Sequence, residues 1–283
     1  MLEWMNFLYV LTENEYEQRK NGPMKIPSTD EILLQLKDYS NDDLSRYTVL
    51  MKDAFQQVGP IFTKPQYVDF FWHCASTVPG WIADVVLANA DAESQGAKKL
   101  VDLWKSTTID KEIEDSILFH AKDEARHSHL FVKLDSIAFP ESNTDGELSK
   151  IKDGLTKINS HDLVKDGVSV SNYDLLDYLV QMNMGEIRTL VHMHFLGPVI
   201  FAMTPKESKD KVYTILQGLA KDEVIHIGYT SKLIEDWCND SNYTVAKHLY
   251  HNRLMDFHKL TVSQTTDTIK KYGQNQYPAL LEI

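Results

Sequence analysis

Asp123-Glu124-Ala125-Arg126-His127 and Asp222-Glu223-Val224-Ile225-His226 decide how this chain is read. Both are Asp-Glu-x-x-His runs inside stretches with helical periodicity. On a helix, Glu at i and His at i+3 share a face about one turn apart. Two such helices facing each other bring two carboxylates and two imidazoles to one point. One copy is common on solvated helix faces, and a chain of this composition produces it by accident roughly one time in twenty. Two copies on separate helices call for a common explanation.

Working outward, the segments around these runs also read as helices. Ser28 with Glu31 forms a capping box at the head of one helix, and Asp42–Val58 repeats the pattern up to Gly59-Pro60. The aromatic-rich Pro65–Thr77 stops at Pro79-Gly80, and Trp81–Lys105 follows as a long helix. Thr107 and Asp110 are positioned to cap the next helix, which carries His120, Glu124 and His127 and fades at Pro140. Residues 141–172 are polar, with a short helix suggested by Ile151, Leu155 and Ile158. Tyr173–Ala202 is a long apolar segment holding Glu186. Thr204-Pro205-Lys206-Glu207 signals a helix starting at Pro205, with Glu223 and His226 further along it. Tyr243–Tyr272 is the last helix, with Leu249, Leu254, Phe257, Leu260 and Val262 expected inward. No stretch alternates like a strand. The expected fold is therefore all-α, a four-helix bundle with one crossover at 141–172. We expect a single helical domain over 1–283, with its core at about 81–235 and packing helices in 1–80 and 243–272.

Composition narrows the function classes. Of 283 residues, 29 are Lys or Arg and 41 Asp or Glu, a formal net charge of −12. Such acidity argues against nucleic acid or an anionic membrane as partner. The two cysteines, Cys74 and Cys238, make neither a disulfide framework nor a zinc knuckle and point to a reducing, cytoplasmic location. The apolar start Met1–Leu11 has no basic head and is too short for a signal sequence or a membrane span.

Two further acids complete a donor set. Glu186 and Glu223 are centred on the turn at Thr204 and Pro205. Reflecting Glu124 through the turn near Thr107–Ile109 leads to Asp91 and Glu93, which are about 200° apart around their helix. The apolar row Val86, Ala90, Ala97, Leu100 and Trp104 shares the face of Glu93, so Glu93 is preferred and Asp91 is the alternative. The expected metal ligands are Glu93, Glu124, His127, Glu186, Glu223 and His226. Four carboxylates and two neutral imidazoles suit two divalent iron ions, or a manganese–iron pair, better than zinc. They also balance the charge of two such ions in a buried site. Asp123 and Asp222 are placed to accept the second ring N–H of a ligand histidine. His120, one turn before Glu124, is either an additional ligand, a pocket residue or a core histidine, while His192 and His194 fall off the Glu186 face and read as structural.

With Glu93, Glu124-x-x-His127, Glu186 and Glu223-x-x-His226 in place, the chain resembles the ferritin-like di-iron carboxylate superfamily over residues 81–235. Ala92-Glu93-Ser94-Gln95 is similar to the first-helix ligand segment of rubrerythrins. The chain is longer than a storage ferritin subunit and lacks the cysteine pairs of a rubredoxin-type site. Its size and the Asp-Glu-Ala-Arg-His wording resemble the oxygenase branch, nearest the p-aminobenzoate N-oxygenase group. Members of that group carry a further ligand histidine one turn before the last-helix Glu, where this chain has Leu219. Thr189, three after Glu186, resembles the arrangement of acyl-carrier-protein desaturases. The resemblance implies an O₂-dependent di-iron oxygenase of a small organic molecule, N-oxygenation of an amine being one form. It also implies an external electron donor, and dimerisation through an apolar helix face is compatible with it. The alternatives it carries are an acyl desaturase or hydroxylase and a ferritin-like peroxide-reducing or iron-handling protein.

Overall fold

The computed structural model describes residues 28–39, 43–107, 110–159, 161, 163–166, 170–239 and 241–272. Among them there are nine α-helices and no strand, so the protein is all-α. The helices are α1 (Thr29–Tyr39), α2 (Ser45–Val58), α3 (Pro65–Thr77), α4 (Trp81–Ser106), α5 (Lys111–Ala138), α6 (Asp145–Gly154), α7 (Asn172–Met203), α8 (Lys209–Trp237) and α9 (Tyr243–Tyr272). No described helix is long and apolar enough to cross a membrane. The expectations placed on Met1–Leu11 lie outside the described residues.

The chain divides into two compact units. The first takes the described residues up to Pro79, Leu176–Ala202 and the chain from Ala220 on. The second is Gly80–Leu175 with Met203–Leu219.

In the second unit, α4 and α5 are the main packing pair. His127 lies beside Glu93, and Glu124 beside Gly96. Rising numbers on one helix meet falling numbers on the other, so the pair is antiparallel. The capping of α5 differs from expectation. Asp110 alone caps α5, accepting from the Glu112 N–H at 2.8 Å, whereas the Thr107 hydroxyl turns back to the Leu103 carbonyl at 2.7 Å. Once its hydroxyl satisfies the end of α4, Thr107 has no role at the start of α5. The crossover is tied to α4 twice. Ser94 and Thr156 exchange three hydrogen bonds of 2.8–2.9 Å. Further on, the Lys165 ammonium lies 4.2 Å over the Trp104 ring and donates to the Trp104 carbonyl at 2.7 Å and to that of Thr107, satisfying the end of α4.

Asp135 is fully buried on α5 and accepts from Asn143 at 3.2 Å. Burial, with the charge of Asp84 adding to it, pushes its carboxyl up to about 6, against the opposing Asn143 bond. A native value above the unfolded one means that the folded state holds the proton more tightly. The stabilisation is full below pH ~4 and is lost as pH rises through ~6. Asp135→Asn is therefore expected to match wild type at pH 4 and to exceed it by about 3 kcal/mol at pH 7.5 in urea melts.

In the first unit, α2 packs along α9, and α1 on α2. The Ser28–Glu31 capping box forms as expected, with bonds of 2.8 and 3.2 Å. Gly59 ends α2 at φ 55°, a backbone conformation that favours glycine. Glu235 of α8 accepts the N–H groups of Arg46 and Tyr47 at 3.3 and 2.6 Å, capping the α2 N-terminus from a distant part of the chain. Two expectations are corrected. Helix α8 begins at Lys209, after a 3₁₀ turn at Lys206–Ser208, and not at Pro205. Leu260 is exposed, because the buried stripe of α9 runs through Leu254, His258, Thr261, Thr265 and Ile269. Periodicity missed this stripe because three of its members are polar. Each has a hydrogen bond: His258 Nδ1 accepts from the Ile61 N–H, 197 residues away, at 3.1 Å, and both threonines donate to carbonyls one turn back.

Candidate metal centre

The buried stripe of α5 runs through Ile117, His120, Ala121, Glu124, His127, Ser128 and Phe131. Helical spacing thus turns one carboxylate and two imidazoles to the same interior side as the apolar residues. On α4, Glu93 shares the buried face of Val86, Ala90, Ala97 and Leu100. Asp91, the alternative, is exposed and accepts from Gln95 at 2.7 Å. In this unit His127 Nδ1 lies 3.6 Å from Glu93 Oε2 and 3.5 Å from Glu124 Oε1. His120 Nε2 lies 3.4 Å from that same Glu124 oxygen.

The other unit repeats the arrangement. Glu186 of α7 and Glu223 and His226 of α8 are buried, with exposures of 9%, 1% and 0%. His226 Nδ1 lies 3.8 Å from Glu186 Oε2 and 4.0 Å from Glu223 Oε2. Each unit thus holds two glutamates around the Nδ1 of one histidine.

These separations are longer than hydrogen bonds. Two donors sharing one ion at about 2.1 Å lie roughly 3.0 Å apart at right angles and roughly 4.2 Å apart when opposed. The observed 3.4–4.0 Å fall within that span. The donors also match in kind, being hard carboxylate oxygens with imidazole nitrogen. Glu93, His120, Glu124, His127, Glu186, Glu223 and His226 belong to buried His and Glu groups that could hold a metal ion. Burial raises the Glu93 carboxyl well above its usual range, and the Glu124 charge adds to this while the neighbouring His127 opposes it. A cation at these oxygens acts in the opposite direction, favouring the ionised form.

The surrounding residues divide clearly. Asp123 is buried, and one of its oxygens accepts Arg126 Nη2 at 2.7 Å and Nε at 3.2 Å. Asp222 and Thr189 are half-buried. His194 Nδ1 donates to the Leu190 carbonyl at 2.7 Å. His192 stacks on Tyr67 and shares a 3.1 Å hydrogen bond with its hydroxyl. Desolvation, then the Arg188 charge, lowers His192 to about 3, so it is a neutral ring in an aromatic cluster.

Two residues beside the candidate ligands were missed from sequence. Gly96 of α4 leaves the space filled by Glu124, since a Cβ there would meet Glu124 Oε2 at 3.0 Å. A glycine inside a helix, three residues after Glu93, was the available signal for a close approach. Asn183, fully buried one turn before Glu186, is the hub of a hydrogen-bond network. Its oxygen accepts the hydroxyls of Tyr47 at 2.8 Å and Tyr250 at 3.0 Å. Its amide nitrogen donates to Thr230 at 3.0 Å and Ser231 at 3.1 Å, one turn beyond His226. Nothing in the sequence singles out this asparagine.

No protein-family model, curated protein or solved structure matches this chain.

Proposed function

We propose that the two Glu-Glu-His sets hold iron, two ions per chain, in a ferritin-like four-helix bundle with one crossover, and that the protein is an O₂-dependent oxygenase of a small organic substrate. The reading extends to N-oxygenation of an amine. The observation that carries it is the repeat of one buried arrangement, two glutamates around a histidine Nδ1, in each unit. A manganese–iron pair is the alternative filling. When bound, the metal pair supplies the redox chemistry that couples O₂ to substrate oxidation. Glu93, Glu124, Glu186 and Glu223 balance four positive charges, which makes two divalent ions tolerable in a buried place. His127 and His226 add nitrogen donors that favour iron or manganese over magnesium or calcium. Exposures of 9% or less keep bulk water from these side chains. An external donor returns electrons between turnovers.

The test is metal analysis of freshly purified wild type beside Glu186→Ala and His226→Ala. We expect close to two iron ions per wild-type chain and at least a tenfold loss in both variants; equal content in all three removes the reading. Anaerobic loading with ferrous iron, followed by oxygen, is expected to give a transient visible absorption. Fast turnover of H₂O₂ with no organic substrate oxidised would replace the oxygenase with a peroxide-reducing protein.

A further inference from the structure

The two ligand-bearing helices that carry Glu-x-x-His differ one turn before the glutamate. On α5 that place is His120, fully buried, and on α8 it is Leu219, also fully buried. His120 Nε2 comes within 3.4 Å of Glu124 Oε1, and His127 Nδ1 within 3.5 Å of the same atom. One carboxylate oxygen therefore has two imidazole nitrogens near it, at separations too long for hydrogen bonds and right for shared ions. A side chain with no more than a packing role would not need to aim a ring nitrogen at the ligand oxygen.

We propose that His120 is a seventh metal ligand and that it makes the two ion positions unequal. This rests on the dinuclear reading above. Three imidazoles cannot be shared equally between two ions, so one position has more nitrogen donors than the other. Imidazole raises the affinity of a site for the later divalent transition metals more than a further carboxylate or water does. The nitrogen-rich position therefore fills first and empties last. Glu124, flanked by His120 and His127, is the carboxylate best placed to touch both ions.

Anaerobic titration of metal-free protein with Co²⁺ tests this, because its visible bands report nitrogen and oxygen donors. Wild type is expected to bind two Co²⁺ in two steps at least tenfold apart. His120→Leu, which copies the residue on α8, is expected to weaken the first step at least tenfold and leave the second within about threefold, so that the steps merge. An unchanged two-step isotherm in this variant overturns the proposal while leaving the dinuclear reading standing. Wild type that binds no Co²⁺ overturns both. A second measurement needs no variant: proton NMR of the di-cobalt wild type should show three solvent-exchangeable, far-shifted ring N–H signals. Two such signals would exclude His120 as a ligand.

Discussion

Gly96→Val is expected to give a folded protein that binds metal at least tenfold more weakly. Glycine in a helix interior costs about 1 kcal/mol relative to alanine, so on backbone grounds a side chain at 96 should be welcome. What opposes it is space. A Cβ would stand 3.0 Å from Glu124 Oε2 and 3.9 Å from its carboxyl carbon. Alanine already crowds that oxygen, and the two methyl groups of valine reach further into the same volume. Glu124 must then turn away from His127, whose Nδ1 now lies 3.5 Å from its other oxygen. The expected pattern is graded. Gly96→Ala should melt at or slightly above the wild-type temperature without metal, yet bind Co²⁺ more weakly, and Gly96→Val should bind it more weakly still. Metal content read beside circular-dichroism melts separates the two effects. Full wild-type affinity in Gly96→Val would show that Glu124 does not depend on this gap.

Asn183→Leu is expected to cost about 3–5 kcal/mol of stability. Leucine has as many side-chain heavy atoms but neither accepts nor donates. It removes the acceptor that the hydroxyls of Tyr47 and Tyr250 share inside the protein, where burial already raises both tyrosines above their usual range. A hydrogen bond contributes about 0.5–1.5 kcal/mol, and here the four to Tyr47, Tyr250, Thr230 and Ser231 are lost at one place. Thr230 suffers less, since its hydroxyl also donates to the His226 carbonyl at 2.7 Å. Against a typical total of about 5–15 kcal/mol, the loss is a large share. For a chain of this size it corresponds to a fall in melting temperature of roughly 10 °C. Tyr47→Phe, which removes one hydrogen bond and leaves no group stranded on the asparagine nitrogen, should cost only about 1 kcal/mol. Urea melts of the two variants check the ratio, and equal losses would mean that Asn183 is not the hub.

What could be read in advance followed from spacing within single helices. Glu-x-x-His fixed which side chains share a face, and the apolar row through Val86, Ala90, Ala97 and Leu100 chose Glu93 over Asp91. What could not be read depended on partners far along the chain. Asn183 looks like one polar residue in an apolar run, yet its acceptor role is filled by Tyr47 and Tyr250, 136 and 67 residues away. Gly96 looks like a weak point in a helix until α5 lies against it. Thr107 failed as a cap because a threonine hydroxyl has a carbonyl of its own helix within reach. The Thr204-Pro205 signal located the restart of the helix to within a turn, but a 3₁₀ turn came first.

The grip of Thr156 on Ser94 has a mechanical consequence. Ser94 directly follows Glu93, so the crossover holds the one stretch of α4 whose rotation about the helix axis sets the aim of that carboxylate. A side chain roughly 6 Å from the axis swings by about 2 Å for a roll of about 20°. By pinning α4 against such a roll, a polar connection keeps an acidic oxygen turned to the interior.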